Sequence, residues 1–482
     1  MKLKILFVSA EVHPFAKTGG LTDVSGALPP ALYKLGHDIR VIMPKYSCTS
    51  KAGKRMQALK VDLELPGFSQ KGTLFQSELT DSVPVYLIEH DGYYNREHLY
   101  GEPGSDYPDN VERFAYFCRA VLEAAKKLDF KPDIIPCNDW HTGLIPVYLK
   151  TLYRKDPGFA QTKTLFSIHN LGYQGNFPHS QLKATGLDES LFREEGIEFY
   201  GQISFLKGGL IFADTLTTVS PAYSQEIQTT ELGFGMEGIL QKRSDQLHGI
   251  LNGVDYTVWN PETDPFIPAN YGSQSLSQKK QCREDLVKMF SLRLNKRTPI
   301  LCMITRLSEQ KGIDLILQAR DALDEEDVAL LILGTGETRY ESFFLQWNQD
   351  RPDRIATALM FDEPLGHRIL AGSDMLLMPS SYEPCGLTQM YALKYGTVPI
   401  VRDIGGLKNS IQEFNDKTGK GTGFKFKVPK AQYFLKSLQK ALSCFNQIKT
   451  WKKLMLNGMA KDNSWEVSAK QYSRLYHKSL RS

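Results

Sequence analysis

Two cations at the end of a predicted strand are the residues whose spacing points most directly to chemistry. Arg306 and Lys311 lie in the segment Thr305-Arg-Leu-Ser-Glu-Gln-Lys-Gly312, which follows the apolar run Ile300–Ile304. Two positive side chains on one strand-end loop can bind a diphosphate and stabilise the negative charge that develops on it as it leaves. The alternative interpretation is a pair of solvated surface cations without a ligand.

A glycine pair near the amino terminus offers a second contact for an anion. Lys17, Gly19 and Gly20 follow the first apolar run and precede a helical pattern. Glycines at that place let backbone N–H groups approach an anion at a helix N-terminus, and Lys17 adds a positive charge. The spacing matches neither GxGxxG nor GxxxxGK[ST], so it favours neither a dinucleotide site nor an ATP-binding P-loop. A purely structural turn is the alternative for this pair. The later turn Gly334-Thr-Gly336 could bring its backbone close to a nucleotide, and its alternative is likewise only a tight turn.

A third loop, from 379 to 389, has the sequence PSSYEPCGLTQ and again separates an apolar run from a helical pattern. Its Glu383 could bind sugar hydroxyls. The backbone N–H groups that open the following helix suit a phosphate, and they belong to Gly386, Leu387 and Thr388. Cys385 has no histidine beside it in the sequence, so a buried or sugar-facing thiol is favoured over a nucleophile.

Two further polar residues follow predicted strands of the first half of the chain. His169 begins the segment HNLGYQG and could bind a sugar or steady a developing positive charge near an anomeric carbon. Asp139, in Asn138-Asp-Trp-His141, supplies a carboxylate beside an aromatic ring and an imidazole, a combination common in carbohydrate sites. The alternatives are a satisfied core histidine, and a helix cap by Asp139 beside a packed Trp140.

These loops follow the strands of two successive α/β series. In the first, apolar runs such as Ile5–Val8 and Ile39–Met43 alternate with helical patterns. A second such series starts with the strand Ile300–Ile304, and its next elements include a helix over 313–323 and the strands Ala329–Leu333 and Met375–Met378. Strands that are apolar throughout are typical of parallel sheets covered by helices on both faces. We therefore expect an α/β fold with two doubly wound domains that divide near residue 254. Segments 46–110 and 173–205 are turn-rich and indicate insertions over the sheet edge or a ligand cleft.

Composition narrows the class of protein. The chain has 482 residues, 58 basic against 54 acidic side chains and a net charge of +4, so we expect no nucleic-acid partner. Its seven cysteines show no CxxC spacing, which argues against a disulfide framework. No apolar run approaches the length that spans a bilayer. These features predict a reduced protein of the cytoplasm with no membrane partner.

Missing motifs exclude several kinds of chemistry. The sequence contains no Asp-x-Asp, HExxH, GxSxG or EF-hand loop. Metal-bridged binding of a diphosphate therefore lacks its usual ligands. We expect the chemistry to use protein cations, with no metal site and no cofactor.

The ordered set of motifs resembles the bacterial glycogen synthase family, glycosyltransferase family 5, which is related to plant starch synthases. The resemblance extends from residue 5 to about 410. It is carried by these segments: KTGGLTDV from Lys17, NDWH from Asn138, HNLGYQG from His169, KGGL from Lys207 with ADT from Ala213, TVSP from Thr218, LNGVD from Leu251, Arg306 with QKG from Gln310, and EPCGLTQ from Glu383.

This resemblance implies the GT-B architecture, in which two Rossmann-like domains face an inter-domain cleft. The corresponding domains are 1–253 on the acceptor side and 254–458 on the nucleotide-sugar side, with 459–482 as a C-terminal helix that packs back on the first domain. It also implies transfer of glucose from ADP-glucose to the non-reducing end of an α-1,4-glucan or maltooligosaccharide, with retention at the anomeric carbon and release of ADP.

Residue roles follow from the same resemblance. Arg306 and Lys311 would bind and activate the ADP diphosphate, with Lys17, Gly19 and Gly20 close to it. His169 would contact the transferred glucose. The remaining candidates for contacts to the donor or the acceptor are Glu383, Cys385, Gly386, Leu387, Thr388, Asp23, Asp139 and Asn252.

Two positions depart from the family pattern. Ser381 stands where the family commonly has arginine, which puts a local supporting contact in doubt. Tyr391 stands eight residues after Glu383, where many relatives with a Glu-x7-Glu motif have a second glutamate. The tyrosine favours the bacterial and plant synthase branch over sucrose- or trehalose-type relatives.

Two alternative functions stay open at this point. The first is another GT-B glycosyltransferase that uses UDP-glucose. The second is an inactive glucan-binding homologue, against which the presence of all the candidate site residues argues. The sequence does not indicate the oligomeric state.

Overall fold

The fold contains twenty strands and seventeen α-helices in the part of the chain that the structure describes. The structure is a computed structural model that describes residues 2–68, 71–80, 83–102 and 104–481. The strands are β1 Lys4–Val8, β2 Asp38–Pro44, β3 Gln57–Leu63, β4 Gly72–Glu78, β5 Pro84–Glu89, β6 Gly101–Glu102, β7 Ser105–Asp106, β8 Ile134–Asn138, β9 Lys163–Ile168, β10 Asn176–Pro178, β11 Glu198–Phe199, β12 Gln202–Ser204, β13 Thr215–Thr218, β14 Leu247–Gly249, β15 Ile300–Ile304, β16 Ala329–Leu333, β17 Ile355–Ala358, β18 Met375–Met378, β19 Val398–Arg402 and β20 Phe424–Phe426.

The helices alternate with most of these strands. They are α1 Gly20–Lys34, α2 Asp91–Tyr94, α3 Asn110–Lys127, α4 Leu144–Lys150, α5 Phe205–Phe212, α6 Pro221–Glu226, α7 Glu237–Lys242, α8 Lys279–Met289, α9 Ile313–Gln318, α10 Arg320–Glu325, α11 Thr338–Asp350, α12 Glu363–Gly372, α13 Thr388–Lys394, α14 Gly405–Ser410, α15 Ala431–Phe445, α16 Ile448–Met459 and α17 Trp465–Ser479. No helix among the described residues is long and apolar enough to cross a membrane.

The chain forms two compact units. The first contains residues 1–219, 224–250 and 465–482, and the second contains 220–223 and 251–464. The last helix, α17, therefore belongs to the first unit, where it packs along α1. Hydrogen bonds fix it there: Thr215 Oγ1 lies 2.8 Å from Ser479 Oγ, and His37 Nε2 lies 2.8 Å from Ser473 Oγ.

The first unit is built on a nine-stranded sheet with the order β14-β13-β9-β8-β1-β2-β5-β4-β3. Strands β14 to β5 of this order are parallel, and β4 and β3 add antiparallel strands at one edge. The central strands are buried, which explains why their apolar runs predicted a parallel sheet. The turn-rich segment 46–110 supplies β3, β4 and β5, so part of that predicted insertion extends the sheet.

The second unit is built on a six-stranded parallel sheet with the order β17-β16-β15-β18-β19-β20. The predicted strands Ile300–Ile304, Ala329–Leu333 and Met375–Met378 have the observed bounds. The helix predicted over 313–323 is instead two short helices, α9 and α10, that meet at Ala319. The prediction of two doubly wound α/β domains is confirmed.

Candidate active site

Four predicted site loops, those after β1, β8, β15 and β18, follow the strands at which the order of each sheet reverses. In the second unit this reversal lies between β15 and β18, and in the first unit it lies between β1 and β8. Ligands of open parallel sheets bind beyond the carboxyl ends of such strands, because the following connections run away to opposite sides. Each unit therefore carries several of its candidate residues at the position where its topology favours a ligand, and His169 follows β9, the strand next to β8.

In the second unit, the loops after β15 and β18 meet through a buried ion pair. Lys311 Nζ donates to Glu383 Oε2 at 2.6 Å, although the two residues lie 72 positions apart in the sequence. The two side chains are only 16% and 6% exposed, and Ser380 Oγ also donates to Glu383 Oε2 at 3.0 Å. Two of the residues selected separately from the sequence thus form one charged pair.

Backbone contacts lock the same two loops together. Ser381 N donates to the Gln310 carbonyl at 2.8 Å, and Ser381 Oγ donates to the same oxygen at 3.1 Å. The Ser381 carbonyl in turn accepts a hydrogen bond from Arg402. Serine at this position, where the family commonly has arginine, therefore supplies a supporting contact of its own.

The glycine turn after β16 packs against the loop that carries Arg306. A Cβ atom at Gly334, where φ is +151°, would lie 1.8 Å from the Thr305 carbonyl oxygen, and one at Gly336 would lie 2.0 Å from that of Leu307. Only glycine fits such contacts. Of the two interpretations of this turn, the tight structural turn explains the glycines, and they hold in place a loop whose Arg306 side chain is exposed.

The Cys385 thiol is buried and unsuited to act as a nucleophile. Burial raises the pKa of the Cys385 thiol to about 12, although the Asn252 backbone N–H that donates to the sulfur opposes the shift. Asn252 itself is 5% exposed, and its Oδ1 atom has no hydrogen-bond partner within the described residues. Because a buried oxygen without a hydrogen-bond donor is uncommon, Asn252 is a candidate for a ligand contact.

The segment from 386 to 388 forms the turn that leads into α13. Gly386 has φ +68°, and a Cβ atom there would lie 2.5 Å from Gln389 Oε1. Gln389 Nε2 donates to the carbonyls of Cys385 and Gly386 at 3.1 and 3.0 Å. The turn is thus fixed from inside by a buried amide, and Leu387 and Thr388 continue it into the helix.

Tyr391 has a packing role at the position of the absent second glutamate. Its ring stacks on Trp259 with centroids 4.1 Å apart, and Trp259 stacks on His367 at 3.7 Å. His367 Nδ1 lies 2.8 Å from Asp264 Oδ2, and both side chains are fully buried. The aromatic stack explains why a flat ring stands at position 391 of this chain.

In the first unit, a buried carboxylate that the sequence reasoning missed shapes the loop after β1. Glu11 is 3% exposed and accepts hydrogen bonds from Thr18 N at 2.7 Å, Thr18 Oγ1 at 2.6 Å, Thr22 Oγ1 at 2.5 Å and Tyr100 OH at 2.6 Å. These bonds hold both ends of the glycine pair between Thr18 and Thr22. A carboxylate six residues before Lys17 gave no periodic or motif signal in the sequence.

The glycine pair itself faces open space within its unit. Gly19 has φ −159°, which any residue can adopt, and a Cβ atom at Gly19 or Gly20 would meet nothing within 4 Å. Neither conformation nor packing therefore requires glycine here, whereas close approach of a ligand to the backbone would. Next to the pair, Lys17 Nζ lies 3.1 Å from Asp23 Oδ1, so these two candidates form a partly exposed ion pair.

The loops after β8 and β9 bring Asp139 and His169 together. Asp139 Oδ1 accepts a hydrogen bond from His169 N at 2.7 Å, and the Asp139 N–H donates to the Ser167 carbonyl at 2.9 Å. Asp139 has φ +56° with ψ −179°, a conformation that is costly for a residue other than glycine. Strain of this kind persists where the surrounding structure holds a side chain in place, which here is the carboxylate under the His169 loop.

The His169 ring is neutral, and its tautomer follows from its neighbours. Asn138 Nδ2 donates to the Val8 carbonyl at 2.8 Å, so its Oδ1 is the acceptor that lies 2.9 Å from His169 Nε2. His169 therefore carries its proton on Nε2, which leaves Nδ1 as a hydrogen-bond acceptor. Burial lowers the pKa of the His169 imidazole to about 4, so the ring stays neutral at physiological pH.

Trp140 belongs to an aromatic cluster of the core. It stacks on His141 with centroids 4.0 Å apart and packs edge-on against Phe114. A Cβ atom at Gly175, where φ is +57°, would lie 2.4 Å from the Trp140 ring. The packed tryptophan of the alternative interpretation is therefore observed, and it supports the end of the HNLGYQG loop. The cap is not observed, because the Asp139 side chain makes no capping hydrogen bond to the following turn and accepts from His169 N instead.

Within residues 2–68, 71–80, 83–102 and 104–481, no three His, Cys, Asp or Glu residues form a group suited to an ion.

The strained Asp139 carboxylate predicts a pH dependence of stability. Burial raises its pKa from 3.8 to about 7, although N–H groups of His169 and Asn170 oppose the shift. Folding therefore takes up a proton between these values, and the contribution of Asp139 to the free energy of unfolding falls as pH rises from about 4 to about 7. Asp139→Asn should lack this decline. Chemical denaturation of both proteins should therefore show that the free energy of unfolding of the variant, relative to the unchanged protein, rises by on the order of 1 kcal/mol or more from pH 5 to pH 8. A stability difference between the two proteins that is the same at both pH values would contradict the assignment.

Comparison with known proteins identifies the family. The starch synthase catalytic domain model matches residues 4–242, and the glycosyl transferases group 1 model matches residues 286–454. The chain is 45% identical to a glycogen synthase of Syntrophotalea carbinolica over 483 residues, covering 99% of both chains. It is 43% identical to a glycogen synthase of Thermotoga maritima, again covering 99% of both chains.

A solved structure agrees with these sequence relatives. The catalytic domain of starch synthase IV from Arabidopsis thaliana, bound to ADP and acarbose, is 35% identical and superimposes with a TM-score of 0.93 over 100% of both chains. The resemblance drawn from the sequence motifs and the expected GT-B fold are thereby confirmed. The chain belongs to the glycogen synthase family of glucosyltransferases, enzymes that elongate a glucan.

Proposed function

We propose that the glucosyl donor of this enzyme is ADP-glucose, from which it extends an α-1,4-glucan at the non-reducing end with release of ADP. The observation that carries this proposal is the ion pair of Lys311 with Glu383 at the strand reversal of the second unit. It provides an oriented ammonium on the loop that also carries Arg306. The ADP bound by the structurally similar starch synthase supports adenine as the base.

The two cations are assigned to the diphosphate. As the bond between the anomeric carbon and the phosphate oxygen breaks, negative charge grows on the diphosphate, and fixed positive groups stabilise it. Lys311 suits this task because Glu383 and the buried surroundings restrict its side chain. We assign Arg306 to the same group, so that neither a divalent ion nor a cofactor is required.

The glucose ring is assigned to His169 and Glu383. A neutral His169 offers Nδ1 as an acceptor for a sugar hydroxyl and can sit beside an anomeric carbon that gains positive charge without repelling it. The second oxygen of Glu383, Oε1, is available in addition to Oε2, which already accepts from Lys311 and Ser380. Asn252 Oδ1, buried and unpaired within the described residues, is a further acceptor for a hydroxyl.

Backbone contacts to the donor are assigned to both units. The open space over Gly19 and Gly20 supports close approach of an anion to their N–H groups, with Lys17 and Asp23 beside them. In the second unit, the N–H groups of Gly386, Leu387 and Thr388 are assigned to phosphate, and the Cys385 thiol lies beneath them as a neutral packing group. Asp139 is assigned to positioning the His169 loop.

The cytoplasm is the proposed location. All seven cysteines are free, and six of them are buried. Free thiols in this number are typical of a reducing compartment.

Parallel transfer assays test the donor. The purified chain, incubated with maltoheptaose and radiolabelled ADP-glucose or UDP-glucose at equal concentration, should lengthen the oligosaccharide with a much larger kcat/KM for ADP-glucose. Faster transfer from UDP-glucose would identify the alternative donor. Absence of transfer from both donors would identify an inactive glucan-binding homologue.

Variants of Lys311 and Glu383 should change stability and turnover to different extents. Lys311→Ala should lose turnover and also destabilise the second unit by on the order of 3 kcal/mol, because it leaves the Glu383 carboxylate buried without its partner. The double variant Lys311→Met with Glu383→Gln removes both charges and should recover most of the stability while turnover stays lost. Thermal unfolding and initial rates measure the two effects.

Two further variants complete this experiment, one at the second assigned cation and one as a surface control. Arg306→Ala changes an exposed side chain, so it should reduce turnover strongly with little change in melting temperature. Lys280→Ala changes a helix-surface lysine that is 69% exposed, so it should alter neither quantity. Normal turnover in the double variant would show that the pair is only structural.

A further inference from the structure

An exposed tyrosine occupies a turn position that the fold itself does not favour. Strands β11 and β12 pair as a hairpin in which Phe199 is opposite Gln202, so Tyr200 and Gly201 form its two-residue loop. Their φ angles are +49° and +78°, the pattern of a type I′ turn. The Tyr200 side chain is nevertheless 82% exposed. Among the described residues, no other large hydrophobic side chain is more exposed.

A second aromatic residue with the same anomaly lies beside it. Phe234 has φ +49° and is 41% exposed, and the next residue, Gly235, has φ +83°. A Cβ atom at Gly235 would lie 3.0 Å from the Phe199 ring and 3.2 Å from the Tyr200 ring. The Phe199 and Tyr200 rings thus lie against the Gly235 backbone, with their centroids 4.7 Å apart. We call these two residues, together with Phe234 directly before Gly235, the aromatic patch.

Folding stability alone does not account for this arrangement. Type I′ turns favour Asn-Gly, Asp-Gly or Gly-Gly, because both central residues need positive φ. A bulky side chain with positive φ costs free energy. The contact of the Tyr200 ring with Phe199 and Gly235 returns little of it, because 82% of the side chain stays exposed. Strained residues of this kind concentrate at ligand sites, where the side chain has a task outside the fold.

The aromatic patch is joined to the loop that carries His169. Gln174, five residues after His169, donates through Nε2 to the Phe234 carbonyl at 3.0 Å. The carbonyl of Gln174 accepts from Leu206 N at 3.1 Å, and its Oε1 accepts from Asn176 Nδ2 at 3.0 Å. The patch therefore has a fixed place at the end of the loop that begins with the proposed glucose contact.

We propose that the patch of Phe199, Tyr200 and Phe234 is a binding platform for the α-glucan acceptor, on which sugar rings of the growing chain stack. Aromatic faces suit the apolar C–H faces of a glucose unit, and the hydroxyl groups at the rim of the sugar remain in water. The inference rests on the proposed function, because it assigns a surface to the acceptor of that reaction. The nucleotide donor has no part in it.

The turn chemistry supplies a sharp test, because the substitution that removes the ring also suits the fold. Tyr200→Asn introduces a residue that type I′ turns favour, so its melting temperature should equal or exceed that of the unchanged protein. Affinity for maltoheptaose, measured by isothermal titration calorimetry without any donor, should fall by about tenfold. Tyr200→Phe keeps the ring and should bind as the unchanged protein does.

Tyr33→Ala is the matched control, since Tyr33 is an exposed aromatic residue, 44% exposed, near the C-terminal end of α1 in the same unit. It should leave the affinity for maltoheptaose unchanged. Unchanged affinity in Tyr200→Asn, or equal losses in Tyr200→Asn and Tyr33→Ala, would overturn the platform.

Donor assays keep this result apart from the proposed function. Transfer from ADP-glucose with unaltered acceptor KM in Tyr200→Asn would overturn the platform and leave the donor assignment standing. Loss of maltoheptaose binding in Tyr200→Asn, in a protein that uses a different donor, would support the platform and overturn the donor assignment.

Discussion

The ion pair between Lys311 and Glu383 is the interaction on which the second unit's site depends. It joins the loops that follow two neighbouring strands of a parallel sheet, β15 and β18, at the point where the strand order reverses. Because both side chains are nearly buried, each charge needs the other, and neither is free to reorient. The backbone bond between Gln310 and Ser381 and the glycine packing behind Arg306 add to this rigidity, because they hold the loops that carry these charged side chains in place.

The first unit reaches a comparable rigidity with carboxylates that accept hydrogen bonds. Glu11 takes four of them and holds the segment on both sides of Gly19 and Gly20. Asp139 holds the backbone of His169 from a strained conformation, while Asn138 sets the tautomer of the ring. The consequence is a neutral imidazole in a fixed position, an arrangement suited to a sugar that develops positive charge and unsuited to general acid chemistry at neutral pH.

Most strands of the two sheets could be predicted from the sequence, because a strand that is buried on both faces appears in the sequence as an apolar run. The candidate loops could be located because they follow such runs. The same reasoning gave the glycine pair, His169, Arg306, Lys311 and Glu383 as separate residues. It did not give the pairing of Lys311 with Glu383, since 72 residues separate them and only the strand order brings them together. Glu11 and Tyr200 were missed for a related reason: a hydrogen-bonded carboxylate and a turn with positive φ leave no periodic signal in one sequence.

We expect protein cations, of which Lys311 is held in place by Glu383, to balance the charge of the departing diphosphate without a divalent ion. The most direct measurement is the initial rate of glucosyl transfer from ADP-glucose to maltoheptaose after exhaustive treatment with EDTA, repeated with Mg²⁺ restored in excess of the chelator. Equal rates are expected under both conditions. A rate that vanishes with EDTA and returns with Mg²⁺ would contradict it.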